Sequence, residues 1–532
     1  MPDPNPIQPS GSSWLRRLRQ LAVAAVLLIT LAALFYAEEN FRGKHAWERY
    51  RKDAEARGIK LDFASHIPQP IPDAENGANT PFVQSWFPKP RPDGTNYWPT
   101  KYGEASSKIT INRRTKGSGG QDDRFITDLT AWQQAFALLK EPKDKKAKKV
   151  ERAGHDTNLD PQEQARAAAA VLEELKVYEP ALAELRAMSV YPKVRYPITY
   201  KLDEPFSILL PHLAKVKGIV QTLSLQACAE LAAGQTNQAF QTVKLMLWFC
   251  DSIEDESFLI SQLVRLAARQ IITQPVWEGI ARHQWSEDQL KELQERLLQT
   301  DFASALDRCI GGERAGAITA IQWMRKQNKL GETMAMFASE DGTGMAAGNT
   351  GAANVAGWFI PNGWFYFEMA NLGRLMDDQV RGGWEAESKL FHPRVVDANN
   401  QRLNEQFGRG TLDSVAHHYL FAKLFLPALK KASMRFSRGQ TTAYQAGLAC
   451  AIERYHLTHG KYPDALADLV PEYLSKIPHE VVSAEPMRYH QTAEGYVLYS
   501  AGWDGKDDDG EFLRAAKDGQ PERGDWVWRS AP

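Results

Sequence analysis

The densest set of potential ligands in the sequence is acidic. Asp504, Asp507, Asp508 and Asp509 fall within six residues, and Glu511 follows. Carboxylates this close repel one another, and a hard cation with oxygen ligands relieves that repulsion. Asp504 and Asp508 are the first candidates as metal ligands, with Asp509 behind them. The spacing is not that of an EF-hand, because Lys506 stands where that loop needs a second oxygen ligand. The plainer alternative is a solvated acidic turn shaped by Gly505 and Gly510. Histidine offers a second candidate set. His456 and His459, three apart on a helix, share a face and form a potential zinc pair, but no Cys or Glu completes the set at a recognisable spacing. There, and at His417–His418, surface or core histidines are the simpler reading. The chain has no H-E-x-x-H, G-x-S-x-G or G-x-x-x-x-G-K-[ST], and no paired C-x-x-C. No catalytic residue is assigned, although acid–base pairs need no local signature.

The elements that must position these residues are legible. At 532 residues the chain is too long for one core. Its apolar and charged fractions, 43% and 24%, are those of a globular protein, and the net charge of −1 gives no field for nucleic acid. Leu21 to Ala37 is a seventeen-residue run whose only polar groups are Thr30 and Tyr36. As a helix it nearly spans the hydrocarbon core of a bilayer, and Trp14 and the stems of Arg16, Arg17 and Arg19 extend it. Those arginines precede the run and Glu38–Glu39 follow it, so the positive-inside rule places residues 1–20 in the cytoplasm and the rest outside. Phe35 does not suit the −3 position of a cleavage site before Glu38, so an uncleaved anchor is expected.

Beyond the anchor, residues 38–159 read as a short helical extension, then an irregular segment rich in proline and aromatics, then a basic run at 140–152. The aromatics Phe82, Trp86, Phe87, Tyr97 and Trp98 predict packing against other elements. Residues 160–436 carry helical periodicity, with N-caps at Asp160 and Ser286 and a stop at Gly234 that makes an αα-hairpin. A glycine loop lies at 340–357, with no nucleotide-binding spacing. The four cysteines, Cys228, Cys250, Cys309 and Cys450, have apolar neighbours and read as buried core thiols.

Residues 437–532 read as a small α+β domain. Thr441–His459 is an amphipathic helix capped by Gly460, followed by turns at Pro463, Pro471 and Pro478, strands at 487–491 and 496–502, the acidic loop, and a last strand at 525–528. This order resembles the globular part of the major pseudopilin of type II secretion systems. The resemblance rests on Tyr455, Gly460, Tyr462 and Pro463, on the L-x-x-L-V-P segment Leu466–Pro471, on Tyr496–Ser500, and on Asp504–Asp507. It implies a helix packed on a small antiparallel sheet and an acidic loop that folds over the sheet and binds calcium, with Asp525 also within reach. The chain departs from the family in that its membrane helix lies some 400 residues upstream, with no prepilin processing motif. The whole layout is similar to membrane-anchored bacterial envelope proteins with a pilin-like tail.

The expected fold class is therefore mainly α, with an N-terminal transmembrane helix, a large domain of α-helical hairpins and a small pilin-like α+β domain. The expected function is that of a non-enzymatic scaffold of the bacterial inner membrane, near a secretion or pilus-like system, with protein partners in the envelope and no nucleic-acid partner. The alternative is an extracytoplasmic hydrolase with its site in the helical domain, which a pocket holding a histidine with a carboxylate would favour.

Overall fold

The computed structural model describes residues 13–90, 96–97, 125–140, 160–327, 360–407, 413, 416–513 and 523–530. The basic run beyond Lys140 and the glycine loop 340–357 lie outside them. The fold is mainly helical with a few small antiparallel sheets. It forms two compact units, Met1–Leu61 with Ala317–Asp377 and Gln406–Phe425, and Asp62–Gly316 with Asp378–Glu405 and Leu426–Pro532.

The first unit contains one 44-residue helix, Ser13–Ala56. It is long and apolar enough to cross a membrane. Its two halves differ in kind. Leu21, Val23, Val26, Leu27, Leu28, Ile29, Leu31, Leu34 and Phe35 are all exposed. From Glu39 onward a single face is buried, at Glu39, Gly43, Trp47, Tyr50 and Ala54, and this three-to-four-residue step is the stripe of a helix packed on one side. The partner is the helix Asn362–Val380. The backbones nearly touch at Gly43 and Gly363, where a Cβ on Gly43 would stand 2.1 Å from the Gly363 carbonyl oxygen. Gly363 donates its N–H to Asn40 Oδ1 at 2.7 Å, and Trp364 Nε1 donates to Glu39 Oε2 at 2.9 Å. A turn or more along, Gly373 accommodates the Tyr50 ring, and Arg57 pairs with Asp377 at 2.7 Å. Glu368, buried in the same helix, accepts the backbone N–H groups of Leu420 and Phe421 at 3.0 and 3.1 Å.

In the second unit the local signals read from the sequence recur as hydrogen bonds. Asp160 caps the helix Pro161–Leu175 by accepting from Gln162 N, with Pro161 in the first turn. Gly234, at φ 72°, separates Pro211–Ala232 from Thr236–Asp251. Ser286 and Gln289 form a reciprocal capping box at the start of Glu287–Leu298. Phe82, Trp86 and Phe87 of the proline-rich segment are buried, with Trp86 stacked on Tyr196.

One expectation is corrected here. The stretch 160–436 is not helical throughout: Gly382, at φ 65°, follows the end of one helix, and a hairpin pairs Trp384–Glu385 with Leu390–Phe391. Phe391 is fully buried and its N–H reaches Val481 O at 2.7 Å, so this hairpin docks onto the C-terminal region. At residue 437 the chain does not break. One helix runs unbroken over Pro427–His459. It packs against Leu259–Ala281 and Glu287–Leu298 as well as against the C-terminal strands. Gln445 Nε2 donates to Trp526 O at 2.6 Å, Trp277 Nε1 to Arg529 O at 2.7 Å, and Gln294 Nε2 to Tyr473 O at 2.8 Å. The C-terminal segment thus shares its core with the helical hairpins.

The sheet of that segment is antiparallel, in the order Arg488–Thr492, Gly495–Ser500, Trp526–Arg529. Every side chain of its central strand is buried. A second pair, Phe512–Leu513 with Arg523–Gly524, holds the base of the acidic loop.

Candidate functional site

The acidic loop leaves the central strand through Gly502, whose φ of 65° and close approach to the Gly524 carbonyl exclude a side chain. Asp525 is the pivot. It is fully buried, and its Oδ2 accepts from Asp508 N at 3.1 Å and Gly510 N at 2.7 Å, so the loop folds over the sheet end around it. Burial above all, with the charges of Asp507 and Asp508 behind it, raises the Asp525 carboxyl to about 6. Its Oδ1 has no hydrogen-bond partner. The other carboxylates are turned to the loop's own backbone. Asp504 accepts from Lys506 N at 3.1 Å, and Asp507 accepts from Asp509 N at 3.1 Å while pairing with Arg488 at 2.7 Å. Asp508 is half-buried and Asp509 is exposed, the latter in the left-handed region at φ 56°. Asp504, Asp508, Asp509 and Asp525 thus share one loop, but no three of them bring oxygens within 4.8 Å of one another.

That convergence occurs elsewhere. Among the described residues, one group of three brings a donor atom from each member within 4.8 Å of the others: His283, Glu453 and His456. The potential pair His456–His459 is not formed, because His459 stacks on Tyr455 and its Nδ1 faces the Tyr455 carbonyl. Glu453, one turn before His456, takes its place on the same helix face. His283 comes from a corner built with unusual closeness. The helix Leu259–Ala281 ends with His283 N and Gln284 N bonded back to Ile280 O and Gly279 O, both at 2.9 Å. Trp285 folds onto the helix end so tightly that a Cβ on Gly279 would stand 2.0 Å from its indole nitrogen. Between them His283 adopts φ 51°, a place where glycine is the usual residue.

Its Nδ1 lies 2.7 Å from Glu453 Oε1, and its ring stacks on His456 with centroids 4.9 Å apart. Glu453 is fully buried. Arg454, its neighbour, is turned away to Glu287 at 2.6 Å. Glu453 Oε2, His456 Nδ1 and the Tyr496 hydroxyl have no hydrogen-bond partner. The carboxylate's charge is felt locally: burial first, then Glu453, pushes the Tyr462 hydroxyl up to about 12 and also raises the Tyr496 hydroxyl.

No family model matches this chain, and no curated protein or solved structure does so. A second histidine–carboxylate contact, His212 Nε2 to Glu256 Oε1 at 2.7 Å, is fully enclosed, with His212 stacked between Phe87 and Tyr196. Ser261 also donates to Glu256. Serine and imidazole therefore share the carboxylate instead of facing each other, which is not the order that activates a nucleophile. The four cysteines are buried and unpaired, as their neighbours indicated. His283 carries no signal in the sequence. Glu453 does join His456, contrary to the expectation that no Glu completes a set there; its E-x-x-H spacing is common on helices and gives no signal by itself.

Proposed function

We propose that this chain is a single-pass protein of the bacterial inner membrane, with its N-terminus cytoplasmic and the chain beyond Ala37 outside. In this reading the helical part is a scaffold and the pseudopilin-like segment binds protein partners of the envelope near a secretion or pilus-like system. The observation that carries the reading is the contrast within the first helix. Its apolar half up to Ala37 is exposed all round, which no aqueous setting tolerates over such a length, and packing begins at Glu39 where the apolar run stops. The arginines on one flank and glutamates on the other set the direction. The helix that a pilin would offer to a filament is interior in this chain, which supports a role for the tail as a docking module and not as a filament subunit.

The test is a fusion of a periplasm-active reporter after Pro532, together with sequencing of the mature N-terminus. An active reporter on an uncleaved chain is expected. An inactive one, or a chain that starts near Glu38, overturns the topology. A hydrolase reading is favoured by one observation, the cluster of His283, Glu453 and His456.

A further inference from the structure

We infer that His283, Glu453 and His456 form the binding site of one divalent transition-metal ion of the zinc class. The inference is independent of the membrane topology and rests on three observations. The first is the donor set. Two imidazoles and one carboxylate suit zinc and its neighbours in the first transition row, whereas calcium and magnesium take oxygen. The second is distance. Ligands on a tetrahedral zinc at about 2.0–2.2 Å stand roughly 3.3 Å from one another. The His283–Glu453 contact is 2.7 Å, and a donor atom from each of the three residues lies within 4.8 Å of the others, so all three are within reach of one ion. The third is what the protein leaves undone. Glu453 is a fully buried carboxylate with no Lys or Arg partner among the described residues, and one of its oxygens and one nitrogen of His456 are buried without a hydrogen bond. A buried charge and orphaned polar atoms are costly unless paired. A proton shared between His283 and Glu453 satisfies one oxygen and leaves the second oxygen and the His456 nitrogen bare. A cation at the centre of the three groups neutralises the carboxylate and draws both imidazoles into use.

The surrounding elements hold the donors in place. Glu453 and His456 are fixed one turn apart on a helix interior to its unit, and the His456 ring is sandwiched between His283 and Tyr462. His283 stands at a helix end in a backbone conformation that favours glycine, which is intelligible if its imidazole is needed there. The His283 side chain is 46% exposed while Glu453 is enclosed, so the ion is reached from solvent at the His283 side. Three protein ligands leave the fourth position of a tetrahedral ion open to water on that side, the arrangement of catalytic zinc sites and not of closed structural ones.

The full chain, purified in detergent with a tag other than polyhistidine and stripped with a chelator, is titrated with zinc against a chromophoric chelator and with cobalt followed by visible absorption. One equivalent of each metal is expected per chain, with cobalt bands of a four-coordinate site. Glu453→Gln and His283→Asn should each weaken zinc at least about a hundredfold, beyond what loss of an outer-shell partner costs. Asparagine tolerates the left-handed backbone at position 283, so His283→Asn separates ligand loss from loss of fold, and an unchanged far-UV spectrum checks this. His459→Ala should bind like the wild type. Absence of saturable binding by the wild-type chain overturns the site. So does wild-type affinity in both Glu453→Gln and His283→Asn, or a loss confined to His459→Ala.

Discussion

Gly43→Ala in the first helix sets two effects of opposite sign against each other. Helix propensity favours alanine over glycine by about 1 kcal/mol. Packing opposes it. The new Cβ would stand 2.1 Å from the Gly363 carbonyl oxygen and 2.6 Å from its carbon, both backbone atoms that cannot swing aside. The two helices must then separate by about 1 Å, which overpacking data put at about 1–3 kcal/mol. Separation also stretches the Asn40–Gly363 bond of 2.7 Å and the Glu39–Trp364 bond of 2.9 Å. Loss of one neutral and one charged hydrogen bond adds about 2–3 kcal/mol. The net is a destabilisation of about 2–5 kcal/mol, in which packing wins. Hydrogen exchange on the full chain in detergent reads this locally, since each 1.4 kcal/mol is about tenfold in the opening equilibrium. Amides of residues 39–57 should exchange roughly a hundredfold faster in Gly43→Ala, while those of the helix Leu259–Ala281 stay unchanged. Equal or greater protection in the variant would refute the close crossing of the two helices.

Asp525 gives a pH dependence with a definite sign. Its folded carboxyl, near 6, lies above the ordinary value of about 3.9, so the native state holds the extra proton between them. The stability associated with it is full below about pH 4 and is lost as pH rises through about 6. Melting followed by tryptophan fluorescence should show the Asp525→Asn chain with a flatter profile across that window, and an unchanged slope would remove Asp525 as its source. Calcium, if it draws Asp504, Asp508 and Asp509 toward Asp525, should raise the melting midpoint at pH 7 in the wild type and not in Asp525→Asn. A midpoint indifferent to millimolar calcium leaves the loop as a turn. Burial raises the thiols of Cys228, Cys250, Cys309 and Cys450. A thiol reagent should accordingly find none reactive in the native chain and all four after denaturation, and a native count above zero would contradict their enclosure.

What could be read from the sequence was what neighbouring residues decide among themselves. The caps at Asp160 and Ser286 and the stops at Gly234 and Gly460 are hydrogen bonds and φ angles confined to one turn, so residue type at a given offset specifies them. The same holds for the apolar run Leu21–Ala37, whose length and uniformity describe its surroundings without reference to any partner. The hairpin Trp384–Phe391 escaped because its four strand residues carry too short a pattern to register, and it is held in place by Val481, some ninety residues on. The division into units escaped because both are assembled from separated stretches of chain. The acidic loop was legible as a cluster, but the roles of its members were not, since Asp525 gains its control of the loop only through burial beneath it. The cluster at His283 is the sharpest case. Its two halves are 170 residues apart, and no periodicity or spacing links a helix end to a buried E-x-x-H on another helix. Packing of Leu259–Ala281 against Pro427–His459 creates that proximity. Side-chain chemistry was present in the sequence, and its convergence was decided by tertiary structure, because only long-range burial determines which donors face each other away from water.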